Sequence, residues 1–140
     1  MGSRRKARVL AFQALFSLDA NPKATEELLD FPWLDEEMRS RYEEETLVFA
    51  RMLIAGTLEH RDEIDKKIES RLEHWDIQRI GKVDLAILRI SAYALLFQKD
   101  IPATVTIDEA VDIAKDYGSD ESYRFINGVL DGIHKSGHEA

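Results

Sequence analysis

Two stretches of the chain hold residues whose types and spacing suit contact with nucleic acid. Arg4, Arg5, Lys6 and Arg8 place four cations within five positions, and Phe12 and Phe16 follow four residues apart. Guanidinium and ammonium groups attract phosphate oxygens, and rings beside them suit stacking on unpaired bases or contact with a protein. The same two rings also fit the core of a wide apolar helix face, where they need no ligand. The second stretch is YGSDESYRFIN at 117–127. A helix opening after Gly118 puts Tyr123, Arg124, Phe125 and Asn127 on its first turns, with backbone N–H groups free for phosphate and Phe125 available to a base. Asp120 and Glu121 oppose phosphate there, and helix capping with core packing accounts for the same residues.

Other chemistry finds little support. A glycine-rich phosphate loop, a nucleophile elbow and a Cys/His zinc pattern are all missing from the sequence. His134 and His138 stand at helical ligand spacing, yet Gly137 lies between them and no carboxylate motif supports them, so no metal site is expected. Asp84 and Arg89 are the only charged residues in the apolar run 83–97. Arg89 demands a carboxylate or carbonyl partner if buried, and a structural ion pair is the simplest expectation. Asp84 fits either the positive end of its own helix or a protein partner.

The formal net charge of −8, from 19 basic and 27 acidic residues, makes the basicity of the first stretch local. Such a patch on an acidic body implies a small electrostatic footprint or a solvated terminus. The chain has no cysteine, which excludes disulfides and thiolate metal sites. Without a signal-like start or an apolar run of spanning length, a soluble cytoplasmic protein with no membrane partner is the expectation.

The positioning elements read as helices throughout. Ala7, Leu10, Ala11, Ala14, Leu15 and Leu18 form one helical stripe that Asp19-Ala20-Asn21-Pro22 ends. Thr25 with Glu26 and Glu27 caps a short helix, and Asp30 to Trp33 reads as a linker. From Glu43 to Ile68 the period predicts one long helix or two collinear ones, with Gly56 or residues 60–63 as the place of a break. Val83 to Phe97 is apolar all round and should be the central buried helix. TVTI at 104–107 reads as an extended connector, and Thr106 to Glu109 as a capping box opening a helix to Tyr117. Gly118 fits a left-handed cap, and Ser119 or Asp120 starts a last helix carrying Phe125, Ile126, Val129, Leu130 and Ile133. Residues after Lys135 should fray. The sum is an all-α chain of six or seven helices in two small packed bundles, about 4–75 and 79–136, within a single domain over 1–140.

The blocks RRKARVLAFQALF at 4–16, VDLAILRISAYALLF at 83–97, IPATVTIDEAVDIAKDYG at 101–118 and SYRFINGVLDGI at 122–133 resemble the NusB family of transcription antitermination factors. The resemblance covers nearly the whole chain except 19–45. It implies an all-helical fold and binding of boxA RNA together with NusE, also a small-subunit ribosomal protein. Antitermination during ribosomal RNA transcription follows, within an RNA polymerase antitermination complex and with a link to ribosome assembly. It implies neither catalysis nor a cofactor.

By position, the resemblance makes Arg4, Arg5, Lys6 and Arg8 an RNA-contacting segment. It sets Glu121 and Phe125 in an RNA-facing region, where Arg124 and Asn127 adjoin them. Phe16 and Asp84 fall on the NusE-facing side, where the family often has Tyr and Glu, and Phe12 neighbours Phe16. A helical protein-interaction adaptor without direct RNA readout stays open as the alternative from residues alone.

Overall fold

A computed structural model describes residues 3–20, 25–73 and 76–139, and among these residues the regular structure is entirely helical. Eight α-helices occur: α1 Ser3–Ala20, α2 Thr25–Leu29, α3 Glu36–Arg39, α4 Glu44–Glu59, α5 Arg61–Glu69, α6 Lys82–Phe97, α7 Ala103–Tyr117 and α8 Ser122–Glu139. A 3-10 turn, Ile77–Arg79, precedes α6. The count exceeds the expected six or seven because α3 and the α4/α5 break add elements. The expected stop at Asn21-Pro22 lies outside the described residues, as do the Thr25 and His138 side chains.

Helix α6 is the hub. Leu85 through Ala92 and Ala94 are buried along it, and α1, α4, α5, α7 and α8 all pack on it. No single stripe suffices for a helix enclosed on every side, which explains its nearly charge-free sequence. The predicted stripe of α1 is buried from Ala7 to Leu15, and Ile126, Val129, Leu130 and Ile133 bury one face of α8. Buried side chains from Ala7 to Ile133 form one connected cluster, so the core runs unbroken between the N- and C-terminal halves.

The long helix of residues 44–69 breaks at His60, whose φ of −107° and ψ of 20° leave the helical region. Gly56 is not the break. A methyl group on Gly56 would fall within the Tyr93 ring of α6, so glycine serves close approach of the two helices here. Gly56→Ala is expected to destabilise the chain by about 1–2 kcal/mol net, overpacking exceeding the gain in helix propensity. Urea unfolding checks this, and adding Tyr93→Leu should recover part of the loss.

Four local expectations are corrected. First, α3 forms between Trp33 and Glu43, where no helix was expected, because the Asp35 carboxylate accepts from the Met38 N–H at 2.8 Å and Glu36 and Glu37 suit the first turn. Second, α7 begins at Ala103, with Pro102 as N-cap residue, and not at Glu109. Thr106 is buried without a hydrogen-bond partner for its hydroxyl, so no capping box forms. Burial of Thr106 and Ile107 outweighs the weak strand preference of TVTI.

Third, Gly118 is extended at φ −95° and ψ −171°, not left-handed. A Cβ there would lie 2.6 Å from Ser122 Oγ and 2.8 Å from the Ala114 carbonyl, so the turn requires glycine for space. The Ser119 N–H donates to Ser122 Oγ at 2.9 Å, and α8 starts at Ser122. Fourth, the α8 backbone continues past Lys135 to Glu139.

The non-glycine residue with positive φ among those described is Phe31, at 51°. It ends α2 with its ring fully buried. Arg51 donates to the Leu29 carbonyl at 3.0 Å and lies over that ring at 5.4 Å, satisfying a helix-end acceptor.

Candidate nucleic-acid interface

The cations at the start of α1 do not form one patch. The helix turns 100° per residue, and successive cations therefore meet different neighbours. Arg5 donates to the Glu109 carboxylate of α7 and, at 2.9 Å, to Asp112. The Glu109 hydrogen bond is the main reason its pKa lies above the ordinary arginine value. Arg8 is buried beside Glu109 at 3.9 Å, and burial pushes its pKa down. Arginine stays charged in both settings. Arg4 is exposed, with its guanidinium 4.9 Å from the centre of the Phe49 ring of α4. Lys6 lies toward α3, in a cavity with Gln13 and Tyr117. Of the four cations, Arg4 and Lys6 have no acidic partner among the described residues.

The two phenylalanines of α1 separate cleanly. Phe12 is 4% exposed and packs against Tyr117 with ring centres 5.1 Å apart, so it is a core residue and not a contact ring. Phe16 is 40% exposed.

The second cluster forms a cleft. The 3-10 turn, the start of α6 and the α7–α8 turn enclose a cavity of about 270 Å³ lined by Arg79, Asp84, Ser119, Glu121, Ser122 and Phe125. Phe125 is half-buried and also borders a neighbouring cavity with Arg71 and Arg124. Asp84 and Glu121, expected to serve different ligands, thus face one space. Asn127 is exposed and lines neither cavity. Arg124 is exposed, donates to the Tyr123 hydroxyl at 3.0 Å and lies 3.8 Å from Glu121. The cations of α1 line neither cavity that Phe125 borders.

Sequence reasoning missed Arg79. It is exposed in the Phe125 cleft with no ion-pair partner among the described residues. The Asp76 carboxylate caps the 3-10 turn by accepting from the Gln78 N–H at 3.0 Å, and that turn presents Arg79. An aspartate two residues before a polar pair was the available signal. Arg89 is the structural ion pair expected: its Nε and Nη2 donate to the two Asp65 oxygens at 2.9 and 3.0 Å. Among the described residues no group of three or more His, Asp or Glu is placed to hold a metal ion, and no helix is long and apolar enough to cross a membrane.

An all-helical fold around one enclosed helix, with an aromatic ring in a cleft between carboxylates and the Arg79 guanidinium, unpaired among the described residues, defines a small helical protein with a surface cleft of mixed charge. The chain belongs to the NusB family, whose model matches residues 5–135. It is 58% identical over 133 residues to the transcription antitermination protein NusB of Treponema pallidum, covering 95% of this chain and 93% of that one. Among solved structures, NusB of T. maritima is 41% identical with a TM-score of 0.84, over 94% of this chain and 90% of that one. A chain from the crystal structure of antitermination factors NusB and NusE in complex with dsRNA is 31% identical. Its TM-score is 0.85, over 97% of this chain and 98% of that one.

Proposed function

We propose that this chain is a cytoplasmic, non-catalytic transcription antitermination factor. It binds boxA-containing RNA together with NusE during ribosomal RNA transcription, within the antitermination complex of RNA polymerase. The observation that carries the reading is the half-buried Phe125 ring, bordered by Arg79 and Arg124 and by the Asp84 and Glu121 carboxylates. A ring held at the edge of a cleft stacks a splayed base, carboxylates accept from base N–H groups, and guanidinium groups hold the flanking phosphates. Kinship with a protein solved in complex with NusE and dsRNA supports the choice of ligand and partner. The exposed Phe16 offers the partner an apolar contact beside the acidic body.

Binding is expected to depend only modestly on salt. Arg4, Lys6 and Arg79, which have no acidic partner among the described residues, are the phosphate contacts of this reading, so two or three phosphates give a log–log slope of roughly −1.4 to −2.1 for single-stranded RNA. Fluorescence anisotropy at several salt concentrations measures it. Arg4→Ala should flatten the slope by about 0.7, whereas Arg5→Ala should leave it nearly unchanged and instead loosen the α1–α7 contact. Equal slopes for wild type, Arg4→Ala and Lys6→Ala would remove α1 from the RNA surface and favour a protein adaptor.

A further inference from the structure

We infer that a second pocket for one unpaired nucleotide of the same RNA lies between α1, α3 and the end of α7. The inference rests on the RNA-binding reading above and carries it onto α3, which lies outside the blocks that resemble the family. A cavity of about 290 Å³ opens there, lined by Lys6, Gln13, Met38, Arg41, Tyr42 and Tyr117. That volume lies at the lower end of small-ligand sites, near ~300 Å³, and suits a base with part of its ribose.

The lining matches a nucleotide group by group. Tyr42 and Tyr117 offer two phenol rings, one half-buried and one exposed. Tyr117 is backed by the buried Phe12 ring, which fixes it without covering it. Stacking on such rings is tolerant of base identity. The Gln13 amide presents both a donor and an acceptor to a base edge. Lys6 has no acidic partner among the described residues, so its charge is open to phosphate.

Arg41 pairs with Glu37 at 3.3 Å, but both side chains are largely exposed, and an exposed pair of this kind exchanges for phosphate at little cost. Helix α3, which presents Met38 and leads into Arg41 and Tyr42, is held at both ends. Asp35 caps it, and Arg39 donates to the Asp30 carbonyl at its other end. Two cations gathered at one cavity on a chain of net charge −8 point to an anionic ligand, and Lys6 makes the cavity continuous with the start of α1.

The test is anisotropy with a boxA-containing single-stranded RNA and the full chain. Tyr42→Leu and Tyr117→Leu should each weaken binding by roughly 5- to 100-fold. Tyr42→Phe should bind as wild type, and Arg41→Ala should flatten the salt slope by about 0.7, because Arg41 adds one phosphate contact to those of Arg4, Lys6 and Arg79. Circular dichroism monitors folding; should Tyr42→Leu lose helicity, Tyr117→Leu and Arg41→Ala carry the comparison. Wild-type affinity in the folded leucine variants overturns the pocket while leaving RNA binding intact. Weakened NusE binding at unchanged RNA affinity overturns it as well. A wild-type chain that binds no boxA RNA overturns the underlying function, a result the leucine variants cannot mimic.

Discussion

Arg89→Ala is expected to destabilise the fold by about 3 kcal/mol, because it strands two carboxylates that a nearly buried guanidinium holds. Arg89 is 6% exposed in the enclosed helix α6 and holds both oxygens of Asp65 on α5. Its Nη1 also lies 3.6 Å from Asp19 at the end of α1. Arg61 adds contacts to Asp19 at 3.7 Å and to Asp65 at 4.0 Å, so two arginines bind two carboxylates across three helices. Removing Arg89 leaves the carboxylates to a single, more exposed guanidinium and opens a void against α6. The loss falls at the lower end for broken buried pairs because Asp65 keeps some contact with water. Thermal unfolding should show a fall in Tm on the order of 10 °C. Arg89→Lys keeps the charge but loses the two-pronged geometry, and should fall between.

Phe125→Ala should weaken RNA binding by roughly 5- to 100-fold, the range that loss of one base-stacking ring produces. The ring packs partly on the core, so the substitution also lowers stability modestly. Phe125→Leu retains most of the apolar contact and removes only the aromatic face. A similar loss of affinity in the leucine variant, with Tm nearly unchanged, assigns the effect to stacking. The neighbouring carboxylates supply a second comparison. Glu121→Gln removes charge repulsion toward phosphate while keeping hydrogen-bonding capacity, so tighter binding would mean that Glu121 restrains RNA and does not read it.

The helical fold was legible because its signals are long and periodic. VDLAILRISAYALLF announces an enclosed helix without any tertiary information, and the stripes of α1 and α8 each cover several turns. Boundaries were less legible where one residue serves two purposes. Pro102 stands before TVTI, which read as an extended connector, yet a proline suits the start of a helix as well as its end, and only the burial of Thr106 and Ile107 decides between them. Gly118 carries a glycine for reasons of space, and sequence does not separate that from a positive φ.

The candidate site was legible in part for a similar reason. Residue type marks Arg5 and Arg8 as cations, but only the fold brings Glu109 beside them and withdraws them from a free basic face. Phe12 and Phe16 are the same residue type on one helix, and only the packing of the fold, Tyr117 against Phe12 included, makes one of them core. Asp84 and Glu121 lie far apart in sequence, so the cleft they share with Phe125 emerges only from packing of α8 against α6.

In the proposed function this chain and NusE together form one RNA-binding surface. Titration of a boxA-containing RNA with the chain alone, NusE alone and an equimolar mixture, at two salt concentrations, tests it most directly. A ternary complex is expected, in which the mixture binds more tightly than either protein and discriminates boxA from a scrambled sequence. Equal affinity with and without NusE at both salt concentrations would contradict it.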